Sequence, residues 1–298
     1  MAMKFASLIL FGLAIAPNSA AVPQTAPSLP QGFTASPLQG AQGVQSPEES
    51  GGGLLHLPPT SDPGVRKAED SLEQMVAALG GESYLTLQNV EQSGRTYGFY
   101  HGEPSGTGAL FWRFWQWPDK ERTELTKQRD WVILFLGDQG FEATFKGTSA
   151  VENELLQDYL RRRNHSLPWV LRRWLKQPGV ALLYEGSGVA ERKQGDKVSI
   201  IDAQNDAVTI IIDSNTHLPL RVSFVWRDPK SRDRIEDAEG YDNYRSIQGI
   251  MTPFSVTRYR NGEFTNQRFI TETKYNQSLP DSLFQATLTP TQNKGKKK

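Results

Sequence analysis

The chain has 298 residues, which suits one large β domain or two ordinary ones. Lys plus Arg and Asp plus Glu balance at 33 each, which argues against a nucleic-acid binder, since that should carry a basic stripe. There is no cysteine, so disulfides, thiolate zinc sites, Cys nucleophiles and a lipid-anchored Cys are excluded.

Met1 to Ala21 reads as a secretory signal. Lys4 supplies the positive start, Phe5 to Ala16 the apolar stretch, and Ser19, Ala20 and Ala21 the small residues of a cleavage site. That stretch is short of the ~20 apolar residues needed to span a bilayer. Residues 22–63 mix Pro, Gly, Ser, Gln and Ala without Lys or Arg, and are expected to be a disordered linker. Residues 64–287 are expected to form the folded domain, and 288–298 a basic flexible tail.

Val65, Ala68, Leu72, Met75, Val76 and Leu79 recur at three- and four-residue spacing and predict an amphipathic helix. Ser61 or Asp62 is placed to cap it, Pro63 suits its first turn and Gly80-Gly81 ends it. Strands follow. Leu220, Val222, Phe224 and Trp226 alternate with Arg221, Ser223, Val225 and Arg227, and Val208, Ile210 and Ile212 keep the same period. Turn signals such as Gly195-Asp196 and Asn261-Gly262 divide the chain into about eleven strands, paired antiparallel because the connections are short. Two strands, Leu110–Trp117 and Trp131–Leu136, are apolar on both faces, so both sides of that part of the sheet need cover. A helical hairpin interrupts the strands: Leu155 to Arg163, then Pro168 to Leu175, stopped by Pro178-Gly179.

Motifs for catalysis are scarce. Gly186-Ser187-Gly188 lacks the Gly-x-Ser-x-Gly spacing of a nucleophile elbow and reads as a bulge or bend. His56, His101, His165 and His217 have no partner at metal-site spacing. Asp233, Glu236, Asp237, Glu239 and Asp242 surround Gly240 but miss the spacing of a calcium loop, and read as a solvated hairpin beside Arg232 and Arg234. Arg161–Arg163 and Arg172-Arg173 read as a solvated helix face, with an anionic lipid headgroup as the alternative. The chain is therefore expected to be neither an enzyme nor a cofactor or metal binder. The excess aromatic surface has two explanations: a solid core, or an apolar cavity on the concave side of a curved sheet, suited to acyl chains.

The segment order resembles the periplasmic outer-membrane lipoprotein carrier, the LolA-like superfamily. The resemblance rests on the amphipathic helix, Gly108-Ala109-Leu110-Phe111-Trp112, Trp117-Pro118-Asp119-Lys120-Glu121-Arg122, Gly137-Asp138-Gln139-Gly140-Phe141, the helical insertion and His217-Leu218-Pro219-Leu220-Arg221. It continues through Tyr241-Asp242-Asn243-Tyr244, Gly249-Ile250-Met251-Thr252-Pro253 and the closing Tyr275 to Phe284. It implies a mainly β (α+β) fold, an open, incomplete antiparallel barrel with helices covering its concave face. It also implies a periplasmic, monomeric carrier or chaperone of lipid or lipidated protein, with inner- and outer-membrane proteins as candidate partners. The alternative is a sensor or interaction module of the same fold that binds an envelope protein. The family's lid-latching Arg corresponds here to Trp117, with Arg113 expected to bond a lid-helix carbonyl or the ligand's polar head. Phe111, Arg113, Trp115, Trp117, Trp131, Ile133, Phe141, Trp169, Trp174, Phe224 and Trp226 are the expected lining of the cavity.

Overall fold

A computed structural model describes residues 53–58 and 60–287. The signal, most of the expected linker and the tail lie outside the described residues. Helix α1 (Pro63–Leu79) begins as its sequence dictates. The Asp62 carboxylate accepts from the N–H groups of Gly64 (2.7 Å) and Val65 (3.2 Å), satisfying donors that have no partner within the helix. Gly80 closes it at φ 129°, a conformation that other residues avoid. The reading of the chain up to Pro63 as a bare tether needs correction at its end. The N–H groups of Leu54 and Leu55 each donate to the Glu73 carboxylate at 2.8 Å, and Leu55 is buried against α1. A short helix α2 (Glu82–Leu85) follows.

All strands belong to one antiparallel sheet. The first run is β1 (Asn89–Tyr100), β2 (Glu103–Pro104), β3 (Ala109–Gln116), β4 (Lys120–Leu125), β5 (Trp131–Leu136), β6 (Gln139–Thr144) and β7 (Gly147–Ala150). The insertion holds α3 (Asn153–Asn164) and α4 (Leu167–Arg172), followed by a 3₁₀ turn at Trp174–Lys176. The second run is β8 (Ala181–Ala190), β9 (Lys193–Ile201), β10 (Ala207–Asp213), β11 (Pro219–Arg227), β12 (Arg234–Ile247), β13 (Ile250–Arg260) and β14 (Glu263–Tyr275). The order is β7-β6-β5-β4-β3-β1-β14-β13-β12-β11-β10-β9-β8, with β2 attached to β1. Two meanders thus meet where β14 pairs with β1, Val90 opposite Tyr275. The ends of the sheet, β7 and β8, flank the helical insertion in sequence, which leaves the barrel open. The 14-stranded sheet exceeds the expected count in part because β2 and β7 are too short to show a period-two pattern.

Two helical covers pack on the concave face. One joins α1 (Leu72, Met75, Val76) and α4 (Val170, Leu171) to Val198, Ile200, Val208, Ile210 and Ile212 of β9 and β10. The other seats Leu155 and Tyr159 of α3 on Phe111, Leu125, Ile133 and Phe135. The convex face of β3–β5 is covered by the C-terminal segment, whose Leu279, Leu283, Phe284 and Ala286 pack on Phe114 and Leu134. The two-faced aromatic strands are accounted for by these opposite covers. Among the described residues, no helix is long and apolar enough to cross a membrane.

Candidate ligand cavity

The middle strands cross the gap between the two helical covers. There the sheet is roofed without being filled, leaving a cavity of about 260 Å³. Single-ligand sites run to roughly 300–1,000 Å³, so this one is at the small end and suits a small ligand or one slim chain. Strand periodicity decides its floor: Val90, Gln92 and Thr96 of β1, Phe111, Arg113 and Trp115 of β3, and Arg268 and Ile270 of β14 point to the same side. Leu79, Tyr84, Tyr159, Arg162, Leu167 and Pro168 form the roof. One part of the lining is apolar, with Leu79, Leu87, Val90, Trp115, Met251 and Pro253.

The other part is a belt of charge. Arg113 donates to Glu121 through Nε (2.7 Å) and Nη2 (3.0 Å), and through Nη1 to Gln92 Oε1 (3.3 Å). Arg258 Nε donates to Glu239 Oε1 at 2.7 Å, and Tyr241 donates to the other oxygen at 3.2 Å. Burial pushes the Glu239 carboxyl up, but Arg258, Arg268 and Arg162 outweigh it and hold it down at about 2. Burial also opposes ionisation of Glu121, and Arg113 reverses that, leaving its carboxyl below the usual range. Arg268 is placed otherwise. Its Nη2 stands 3.6 Å from Glu239, beyond hydrogen-bond reach, and burial with Arg258 nearby lowers it to about 10.

Behind the belt, Asp158 and Asp237 are shared among several arginines. Arg162 Nε donates to Asp158 (3.0 Å) and its Nη2 to Asp237 (2.9 Å), while Arg260 contacts the same pair at 2.6 and 2.9 Å. This corrects two expectations. Asp237 is completely buried rather than part of a solvated hairpin, and Arg162 of the arginine run is 7% exposed rather than on a solvated helix face. The pairing of α3 with β12 and β13 brings these opposite charges together, and their sequence separation hides it.

Of the expected lining, Phe111, Arg113 and Trp115 face the cavity. The others lie elsewhere. Trp131 and Ile133 pack under α3, with Trp131 Nε1 donating to Glu142 at 2.6 Å. Phe141 is on the convex face. Trp174 and Phe224 are buried in the core beneath α1, both against the His165 ring, at 5.4 and 4.1 Å. Trp226 donates to Asp237 at 2.9 Å and lies under Arg161. Phe141 takes the outward side, under the C-terminal segment; Trp131, Ile133, Trp174 and Phe224 are buried in the helix-covered cores. Arg113 bonds Glu121 and Gln92, not a lid carbonyl. Arg162 and Glu239, expected on solvated surfaces, line the cavity, together with Tyr159, Arg258 and Arg268, which no local pattern marks.

Trp117 sits at the rim with Trp169, ring centroids 5.8 Å apart. The Arg172 guanidinium lies 3.6 Å from the Trp117 ring centroid and donates to the Leu87 carbonyl at 2.7 Å. The insertion therefore supplies the cation and Trp169, and the turn between β3 and β4 supplies Trp117. Ser187 sits at a register shift of β8, the bend expected of Gly186-Ser187-Gly188. Among the described residues, no group of three or more His, Asp or Glu side chains is placed to hold a metal ion.

No family model and no curated protein matches the sequence. Among solved structures, a DUF1329 family protein from Desulfovibrio piger superposes with a TM-score of 0.52 at 12% identity, covering 76% of this chain and 98% of that one. The chain shares its fold. A LolA superfamily protein from Nitrosomonas europaea aligns at a TM-score of 0.44 and 13% identity, over 73% of this chain and 97% of that one.

Proposed function

We propose that this chain is an exported, periplasmic binding protein that carries lipid or the acyl part of lipidated proteins, without chemical turnover. The observation that supports this reading most directly is the roofed cavity of about 260 Å³ between the concave sheet and the insertion helices, with hydrocarbon on one side of its lining. An acyl chain placed against Leu79, Leu87, Val90, Trp115 and Met251 would bury apolar area at roughly 25 cal/mol per Å². The α3–α4 insertion is the natural cover. It crosses the open edge of the barrel and is held at one end by Arg172 on Trp117 and on the Leu87 carbonyl.

The test is direct. The full chain is expressed with its own leader, purified from the cell envelope and extracted with organic solvent, and the extract is examined by mass spectrometry. A stoichiometric lipid or acylated peptide is expected. A ligand-free protein that takes up no fatty-acid or lipid probe would overturn the reading, and capture of a single envelope protein in its place would favour the sensor module.

A further inference from the structure

The cavity contains more cations than its own carboxylates can pair. Glu121 is taken by Arg113 and Glu239 by Arg258, while Asp158 and Asp237 are divided between Arg162 and Arg260, with Arg161 standing 3.6 Å from Asp158. Two guanidiniums on the cavity lining have no hydrogen-bonded carboxylate: Arg172, which donates to the Leu87 carbonyl instead, and Arg268, whose nearest carboxylate, Glu239, is 3.6 Å away. Three buried donor atoms on cavity-lining residues have no partner among the described residues: Arg268 Nε, Arg162 Nη1 and Tyr159 Oη. All three are hydrogen-bond donors, two carry positive charge, and the Arg162 side chain is only 7% exposed. A buried donor without an acceptor destabilises the fold, more so when charged, so such groups are rare unless something else supplies the acceptor. A water molecule would satisfy the donors but not the surplus charge.

We infer that the cavity takes a single-chain amphiphile with an anionic head, a carboxylate or phosphate, bound by Arg268, Arg162 and Tyr159 while its hydrocarbon lies along the apolar side. This rests on the carrier reading above and names the ligand class for it. The geometry fits on three counts. An acidic head offers the several acceptor oxygens that three donors need, and guanidinium pairs well with carboxylate and phosphate. The belt lies beside the apolar lining in the same cavity, so one molecule can reach both. The volume admits one chain and excludes a bulky multi-chain lipid in the closed form.

The experiment compares molecules that share a tail. Dodecanoate, dodecyl phosphate and dodecanol are titrated into the full chain by calorimetry, and again into R268M, whose unbranched apolar side chain keeps much of the volume. The anionic amphiphiles are expected to bind roughly tenfold or more tightly than dodecanol, the tighter of the two identifying the head, and R268M is expected to bring that ratio close to one. Y159F should lower it by a smaller factor. Equal binding of all three, or an anionic preference that survives in R268M, would sink the inference while leaving the carrier reading intact. Failure of all three to bind the wild-type chain would remove the carrier reading and the inference with it.

Discussion

Arg122 and Arg268 lie on opposite faces of one sheet, both largely enclosed, and their surroundings differ. Arg122, on the convex face, is 2% exposed and surrounded by acceptors: Glu124 at 2.7 Å, the Gln285 carbonyl at 3.0 Å and the Thr287 carbonyl at 2.9 Å. Glu124 is held in turn by Arg129. That arrangement ties the C-terminal segment across Phe114 and Leu134. Arg268, on the concave face, has a hollow in front of it, a shared carboxylate at 3.6 Å and a buried Nε with no acceptor. A buried charge surrounded by acceptors serves the fold. One left short of them beside a cavity costs stability and is consistent with a partner from outside the chain.

The largest effect is expected where the pairing is complete. Arg122→Met leaves Glu124 in a dry site with one partner fewer and frees the C-terminal cover. It should cost about 3–5 kcal/mol and lower the melting temperature by roughly 10 °C. Arg268→Met, measured in the same calorimeter without ligand, should hold the melting temperature or raise it slightly. If both variants melt together at low temperature, the contrast between the faces is wrong.

The pH dependence sharpens the same comparison. The Glu239 carboxyl is held at about 2 against an ordinary value of 4.5. A carboxyl lowered by folding contributes its full stability above the unfolded value, and that contribution is lost as pH falls toward the folded one. The unfolding free energy from chemical denaturation should therefore drop between about pH 5 and pH 2, by on the order of 2–3 kcal/mol. Glu239→Gln should flatten that part of the profile; an unchanged slope would place the titration elsewhere.

At the rim, Trp117→Ala removes the surface on which Arg172 rests. About 1–2 kcal/mol is expected, concentrated in the insertion: amide exchange in α3 and α4 should accelerate while β9 and β10 keep their protection. Uniform loss of protection would show Trp117 to be ordinary core. The smallest effect is at the N-terminal clasp. Glu73→Ala should cost about 1 kcal/mol and move the limit of proteolytic trimming from near Gly53 toward Pro63. An unchanged limit would show that the buried side chain of Leu55 is sufficient.

Much of the frame was legible in the sequence. The α1 stripe, its Asp62 cap and glycine stop, the alternation of β11 and the helical insertion are all local patterns that fix a structure within a few residues. The two-faced strands β3 and β5 correctly signalled covers on both sides. The site was legible only in part. Phe111, Arg113 and Trp115 share a face by the period of two, and that face is the concave one. Trp131 and Phe224 had equal standing, because periodicity reports which side a residue takes and not whether a helix fills the space above it, and Phe141 proved to take the other side.

The sequence by itself determined the class of fold, the antiparallel order of neighbours and which side chains travel together along each strand, because these follow from contacts between residues close in the chain. The tertiary structure alone decided the charge of the cavity. Arg113, Glu121, Glu239, Arg258 and Arg268 come from five strands, and Arg162 comes from the insertion. Whether a guanidinium is solvated, paired or short of a partner depends on sheet curvature and on registers between distant segments. Electrostatic energy depends on distance in space, so sequence spacing could not reveal which carboxylate each arginine would meet.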